Sequence, residues 1–159
     1  MPPTDDLATI RRRLLGGWTL HAWTITAGDG AAVQHPFGAN PTGLIVYTDD
    51  GWMNASIARA GRAPLAAASP RQAPLAEQAE AFRSYFNYAG RYTLRRVDGA
   101  PHVVHAVAWS LNPGFVGSEQ VRRVSFDGER DLVLSADESV GGGLRHHRLH
   151  WRRAAARTA

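Results

Sequence analysis

Along most of this chain, hydrophobic and polar residues alternate in short segments. The alternation predicts β-strands at about 18–26, 32–37, 43–48, 52–58, 88–97, 102–111, 119–126, 131–136 and 144–152. Asp-Gly pairs beginning at Asp29, Asp50, Asp98 and Asp127 separate neighbouring segments. An Asp-Gly pair between two β-rich runs is typical of a hairpin. We therefore expect one antiparallel sheet that closes into a barrel or folds into a sandwich.

Two segments have a helical pattern instead. Thr4 is predicted to cap a helix that runs through Leu15 and stops at the following glycines. A second helix is predicted from Pro74 to about 86, since apolar residues recur there at helical spacing. The expected fold is all-β with two short helices, an antiparallel up-and-down barrel capped by the second helix. An α+β cone is the weaker alternative, because a cone would have its helices together near the start.

Length and composition indicate one domain. A chain of 159 residues can bury a substantial core, and we expect a helical arm over 1–14, a barrel domain over 15–153 and a tail over 154–159. No apolar run is long enough to span a bilayer, and the acidic N-terminus does not look like a signal peptide. These features predict a cytoplasmic protein without a membrane partner. The absence of cysteine excludes disulfides and Cys-ligated zinc.

The positive charge does not point to nucleic acid. The net charge is +4, and all 18 basic residues are arginine, which favours a coding bias over a phosphate-binding surface. The only arginine triple, Arg11-Arg12-Arg13, lies on the predicted first helix without interleaved aromatic residues. We expect no nucleic-acid partner.

Hairpin register predicts which side chains face the interior. A two-residue turn at Asp98-Gly99 places Tyr92 opposite His105, and Tyr88 opposite Trp109, all inside. The same turn type at Asp50-Gly51 turns Val46, Thr48 and Met53 inward and Tyr47 outward. At Asp127-Gly128 a three-residue turn puts Arg122 and Val124 inside, whereas a two-residue turn puts Arg123 there. The first face is more apolar, so we favour Arg122.

The predicted interior suggests acid-base chemistry in an apolar cavity. We expect His105 to act as a base, Tyr92 to orient the imidazole or return a proton, and Arg122 to stabilise an enolate or phenolate oxygen. The structural alternative stays open, because a buried tyrosine and histidine often only satisfy each other, and Arg122 could instead pack on Trp18 at the barrel end. The predicted ligand-binding residues are Trp18, Leu20, Val46, Met53, Tyr85, Tyr88, Val107, Trp109, Val124, His147 and Trp151.

The sequence predicts neither a metal nor a cofactor. His146 and His147 are adjacent on one strand and therefore point to opposite faces. The glycine run at 141–143 has no following helix or lysine, so it is not a phosphate loop. No serine elbow or cysteine nucleophile is present.

Longer motifs resemble the bacterial and fungal lipocalin-like domain family. They cover about 15 to 153 and include Leu15-Gly16-Gly17-Trp18, His35-Pro36-Phe37-Gly38, Tyr47-Thr48-x-Asp50-Gly51-x-Met53, Phe82-x-x-Tyr85-x-x-Tyr88-x-Gly90-x-Tyr92, Asn112-Pro113-Gly114-Phe115 and Leu149-x-Trp151-Arg152. The chain departs from the family pattern at His35, Ala106 and Ala108, where a tyrosine, a second histidine and an acid are frequent.

The resemblance implies a β-barrel and two functional classes. Similar proteins include cofactor-independent cyclases, isomerases and dehydratases of secondary metabolism, acting on polyketide-like or terpenoid-like molecules. The other class is a non-catalytic carrier of a hydrophobic small molecule. An exposed Tyr47 and Trp52 would favour a homodimer, and the sequence leaves the oligomeric state open.

Overall fold

Eight antiparallel strands form a closed barrel in which the first strand pairs with the last. The computed structural model describes residues 6–28 and 30–156. The helices are α1 (Leu7–Leu14) and α2 (Leu75–Arg83), and the strands are β1 (Gly16–Ala27), β2 (Thr42–Tyr47), β3 (Trp52–Ala58), β4 (Tyr85–Val97), β5 (Ala100–Ser110), β6 (Glu119–Asp127), β7 (Asp131–Val140) and β8 (Gly143–Arg153). The predicted all-β barrel with two short helices is confirmed, and closure excludes the cone.

Helix α1 closes one end of the barrel, the base. Asp6 caps the helix by accepting a hydrogen bond from the Thr9 amide at 2.6 Å; the predicted cap, Thr4, lies outside the described residues. Leu14 is fully buried against the core, and its carbonyl accepts a hydrogen bond from Trp18 Nε1 at 2.9 Å. The helix thus inserts apolar side chains between the strand ends.

The register predicted at Asp98-Gly99 is confirmed over most of its length. Tyr92 pairs with His105, and Gly90 pairs with Val107. The ladder then shifts by one residue, so that Ala89 rather than Tyr88 pairs with Trp109. The predicted inward position of Trp109 is wrong, because this bulge turns it outward and leaves it 61% exposed.

The register predicted at Asp50-Gly51 is wrong by one residue. Tyr47 pairs with Met53, and Thr48 closes the turn by donating its amide to the Trp52 carbonyl at 2.9 Å. The loop therefore has three residues, and Gly51 takes the positive φ of 90° that such a loop needs. Tyr47 consequently points into the barrel and is 1% exposed, while Val46 moves to the outer face.

The three-residue turn favoured at Asp127-Gly128 is confirmed. Val124 pairs with Leu134 and Phe126 with Leu132, which places this set on the inner face. Arg122, two residues before Val124, therefore shares the inner face, as predicted.

Two other predicted elements differ from the structure. The segment 32–37 forms no strand among the described residues and contributes one bridge, between Ile25 and Gln34. Pro36 lacks an N–H and cannot extend a ladder there; Asp29, in the predicted turn, lies outside the described residues. Helix α2 is present, but none of its residues is fully buried, and Leu75 is 82% exposed. None of the described helices is long and apolar enough to cross a bilayer.

Candidate functional site

A cavity of about 350 Å³ lies inside the barrel on the side away from α1. Most of its wall is apolar, and a small group of polar residues interrupts it, which is the usual composition of a small-molecule site. The lining residues are Trp23, Ile45, Ala55, Ile57, Phe86, Tyr88, Phe115, Gln120, Arg122, Leu134, Ala136, Asp137, Glu138, His147, Leu149 and Trp151.

Behind one wall, a histidine is held between two tyrosines. His105 is fully buried, with its Nε2 2.8 Å from the Tyr47 hydroxyl and its Nδ1 2.8 Å from the Tyr88 hydroxyl. Tyr88 lines the cavity, whereas His105 and Tyr47 do not. A molecule in the cavity would therefore contact Tyr88 and not the His105 imidazole.

Burial keeps all three groups of this cluster neutral. Desolvation and, to a smaller extent, the nearby Arg122 charge together lower the pKa of His105 to about 3. Desolvation raises the pKa of Tyr47 and of Tyr88, while Arg122 opposes part of that rise. At neutral pH His105 is thus an uncharged imidazole and both tyrosines keep their protons.

A neutral imidazole has one donor and one acceptor nitrogen, so the two tyrosines play opposite roles. One hydroxyl donates to the ring, and the other accepts from it. If Tyr47 donates to Nε2, then Nδ1–H donates to Tyr88, and the Tyr88 proton becomes free to point at a molecule in the cavity. In the other tautomer the Tyr88 hydroxyl would donate its proton to His105 and could not donate it to a molecule in the cavity.

Arg122 lies on β6 beside this cluster and brings a positive charge into the cavity. Its guanidinium donates to the Val121 carbonyl and to Gln120 Oε1, each at 3.0 Å. It forms no ion pair with an acidic side chain within 6–28 and 30–156. A half-buried arginine without a carboxylate partner is well placed to bind an anionic or partly negative oxygen of a ligand.

A second polar pair lines the cavity on the strands β7 and β8. His147 Nε2 lies 3.1 Å from Glu138 Oε2, and its Nδ1 accepts a hydrogen bond from Trp23 Nε1 at 3.4 Å. The glutamate side chain is more than half exposed, whereas the histidine is mostly buried. A carboxylate thus lines the same cavity as Arg122 and Tyr88.

Comparison with known proteins places the chain in a family. A family model described as a lipocalin-like domain matches residues 15–154. The chain belongs to the lipocalin-like domain family. A solved structure of a redesigned β-barrel is 12% identical to it, covering 91% of this chain and 95% of that chain, with a TM-score of 0.42. No match was found among curated proteins.

The site predicted from the sequence is only partly assembled in this lipocalin-like barrel. Of the residues predicted for the site, Arg122, Tyr88, His147 and Trp151 line the cavity. Tyr92 faces the interior but donates its hydroxyl proton to the Thr48 carbonyl at 2.8 Å, and not to His105. Val46 and Trp109 lie outside, because the registers of their hairpins differ from those predicted. The remaining predicted residues that do not line the cavity are Trp18, Leu20, Met53, Tyr85, Val107 and Val124.

The lipocalin-like barrel is locked at its base by Arg153 and not by Arg122. Arg153 lies 3.8 Å from the centre of the Trp18 ring and donates to the Leu15 and Arg13 carbonyls, each at 2.6 Å. The alternative in which Arg122 packs on Trp18 is therefore wrong. Arg122 is left in the cavity, and Trp18 is a packing residue of the base.

Sequence reasoning missed several residues of the site, above all Tyr47 and Glu138. A two-residue loop at Asp50-Gly51 turns Tyr47 outward, whereas a three-residue loop aligns it with Met53. Glu138 lies beyond the predicted end of its strand, because β7 extends to Val140. The Gly141-Gly142 pair, with φ of 57° and 80°, is the signal of a tight hairpin and a longer strand.

Three further pockets are larger than this cavity, and none of them contains a residue that the sequence predicted for the site. A groove of about 1080 Å³ lies outside the barrel beside Arg13 and Arg153 and contains none of the predicted site residues. Over the described part of the chain, no three His, Asp or Glu side chains are grouped as metal ligands would be.

Proposed function

We propose that the protein binds a hydrophobic small molecule inside the barrel and orients it through an oxygen atom at Tyr88 and Arg122. A lipocalin-like barrel is typical of small-molecule binding. The observation that carries the proposal is an arginine without an acidic partner among the described residues, in a cavity of about 350 Å³ with a mostly apolar wall. The wall favours a hydrophobic body, and the guanidinium favours a negative oxygen.

Binding is tested with 1-anilinonaphthalene-8-sulfonate, which combines an apolar body with an anionic group and fluoresces when desolvated. Ala136→Phe fills the cavity from its wall, and Ala106→Phe makes the same change on the outer face of β5. We expect the first variant to weaken binding about tenfold or more, and the second to leave it unchanged. Equal binding by both variants would place the probe outside the barrel and contradict the proposal. Thermal unfolding of both variants checks that they are folded.

We further propose, as a second function, that the cavity catalyses proton transfer at carbon, as an isomerase, cyclase or dehydratase of a polyketide-like or terpenoid-like substrate would. The observation that favours it is the presence of hydrogen-bond donors and a carboxylate on walls of one cavity. The Glu138 carboxylate would take a proton from the carbon next to a carbonyl, and the released electron pair would move onto the carbonyl oxygen. Tyr88 and Arg122 would stabilise that enolate oxygen.

In this scheme His105 is a positioning residue and not the base. Its pKa of about 3 makes it a poor proton acceptor at neutral pH. Its role would be to donate Nδ1–H to Tyr88, which fixes the Tyr88 hydroxyl with its proton toward the substrate. Tyr92, whose hydroxyl is bound to Thr48, has no part in this scheme.

Enolisation is tested with 2-tetralone, an apolar ketone, by following loss of its α-proton NMR signals in D2O. We expect the protein to accelerate exchange, and Tyr88→Phe to reduce that acceleration about a hundredfold. Glu138→Gln should reduce it further by removing the base, and Tyr47→Phe should reduce it less, since Tyr47 does not line the cavity. Exchange no faster than in buffer with tetralone bound would remove the catalytic function and leave the binding function intact.

A further inference from the structure

One residue of the cavity wall carries a buried donor that has no partner. Among the described residues, Trp151 Nε1 is the one buried side-chain nitrogen or oxygen that makes no hydrogen bond. Trp151 is 1% exposed and lines the cavity. By contrast, the indole N–H groups of Trp18 and Trp23 have partners, in Leu14 and His147. An indole N–H can only donate, and leaving it unpaired in a protein interior is costly.

Trp151 lies deeper in the barrel than Arg122, and strand pairing gives the offset between their backbone positions. Trp151 on β8 pairs with Leu132 on β7, and Leu132 pairs with Phe126 on β6. Arg122 is four residues before Phe126 on the same strand, which corresponds to about 13 Å along the strand. The two donors therefore meet different ends of one ligand.

The wall between the two donors is apolar. Leu134 and Leu149 pair with each other across β7 and β8, and both line the cavity. A ligand that joins the two ends must therefore present a hydrophobic middle. The backbone offset of about four residues equals the length of an extended chain of about ten carbon atoms, and we choose ligands of that chain length for the test.

We infer that the ligand carries a second oxygen at its buried end, a carbonyl or hydroxyl that accepts a hydrogen bond from Trp151 Nε1. The ligand class is thus an oxygenated amphiphile, with an anionic or enolate-type oxygen at Arg122, an apolar middle and an acceptor oxygen at Trp151. This inference rests on the proposed binding in the cavity. It separates this class from simple fatty acids, whose buried end is a methyl group and would leave Trp151 unpaired.

The test compares three acids that share a ten-carbon chain by isothermal titration calorimetry: decanoic acid, 10-hydroxydecanoic acid and 9-oxodecanoic acid. We expect at least one oxygenated acid to bind about tenfold more tightly than decanoic acid. Trp151→Phe removes the N–H and keeps an aromatic ring, so the ratio of the two dissociation constants should fall to about one, whatever the variant does to the affinity for decanoic acid itself. Trp109→Phe, on the outer surface, is the matched control and should preserve the preference.

A second measurement uses the unchanged protein. The five tryptophans give five indole N–H signals in a ¹⁵N correlation spectrum, and Trp151→Phe identifies one of them by its loss; where that variant does not fold, sequential assignment of the wild-type protein identifies it. The oxygenated acid should shift this signal downfield and slow its exchange, and decanoic acid should not.

The outcomes distinguish the inference from the function on which it rests. If decanoic acid and both oxygenated acids bind equally and the Trp151 signal responds equally, the inference is overturned. If none of the three acids binds while the sulfonate probe is excluded by Ala136→Phe, the inference is overturned and cavity binding stands. If neither the acids nor the probe enter the barrel, the binding function itself is wrong.

Discussion

The base of the barrel and the half that contains the cavity are built from similar residues. The two halves differ in whether these residues find packing, hydrogen-bond or ion-pair partners within the protein. At the base, Leu14 and Trp18 are fully buried, and Arg153 covers the Trp18 ring while donating to two backbone carbonyls. In the cavity half, Arg122 lacks an acidic partner among the described residues, and Trp151 leaves its N–H unpaired. Both halves hold a tryptophan and an arginine. Only at the base do the tryptophan N–H and the arginine both find their partners within the protein.

This difference separates a half of the barrel that is built for stability from a half that is open to a ligand. Interiors are normally packed to high density with their polar groups paired, and the base follows that rule. Departures from the rule cost free energy and persist where something else uses them. The empty volume, the unpaired Trp151 N–H and the Arg122 charge lie in the same half of the barrel, so they indicate one site for a ligand.

The largest expected effect comes from making one substitution in both halves. Leu14→Ala removes a side chain that is packed on all sides, so it should lower the free energy of unfolding by about 4 kcal/mol. Leu149→Ala removes a half-buried side chain that already faces the cavity, so it should cost only about 1 to 2 kcal/mol. Urea denaturation of both variants measures the two costs. Equal losses would mean that the cavity half is as tightly packed as the base.

An intermediate effect is expected from the pH dependence of His105. Its pKa is about 3 in the folded protein and about 6.5 when unfolded. Below pH 6.5 the unfolded chain binds a proton that the native state does not, so this contribution to stability is present above pH 6.5 and is lost as the pH falls toward 3. Between pH 7 and pH 4.5 the loss should be about 2 to 3 kcal/mol.

The control for this titration is His105→Gln, which keeps polar groups for the two tyrosines and removes the ionisable ring. Its free energy of unfolding, measured in urea at each pH, should depend on pH much less steeply than that of the wild type over this range. Parallel curves for the two proteins would show that His105 is protonated as easily in the fold as in solution.

The barrel is predictable from the sequence because its cues are local. Asp-Gly turns and two-residue alternation specify hairpins wherever they occur, and hairpins in series specify an up-and-down sheet. The third turn gives the right register as far as Gly90, and at the fourth turn the more apolar face selects the right one of two loop lengths. These registers are enough to place His105 and Arg122 on the inner face.

The site is less predictable, because inward and outward positions depend on single residues of register. The second turn contains Asp49 as well as Asp50 and Gly51, and counting it into the loop exchanges Tyr47 with Thr48. At Gly90 the strands approach so closely that a Cβ would lie 1.9 Å from the Ala106 carbonyl oxygen. The resulting bulge displaces Trp109, and a glycine inside a predicted strand is its only signal in the sequence.

The side-chain partners are beyond the sequence altogether. Tyr92 faces His105 across the ladder as predicted, yet the imidazole bonds to Tyr47 and Tyr88 from other positions. Which hydroxyl reaches a ring nitrogen depends on barrel curvature and on the strands that face each other across the interior. The pairing of residues on two neighbouring strands carries information on neither the curvature nor these strands.

The smallest effect on stability is expected for Glu138, one of the two acidic residues that line the cavity. Glu138 is more than half exposed, and exposed ion pairs contribute little, so Glu138→Gln should change the free energy of unfolding by less than about 0.5 kcal/mol. Asp137→Asn, which removes the partner of His146, is the matched control and should behave alike. If urea denaturation showed a loss several times larger for Glu138→Gln alone, the carboxylate would be part of the packed structure, as the residues of the base are. A negligible loss combined with slower exchange of 2-tetralone would instead assign it to the chemistry of the cavity, because a residue that stabilises nothing and still affects turnover must act on the bound molecule.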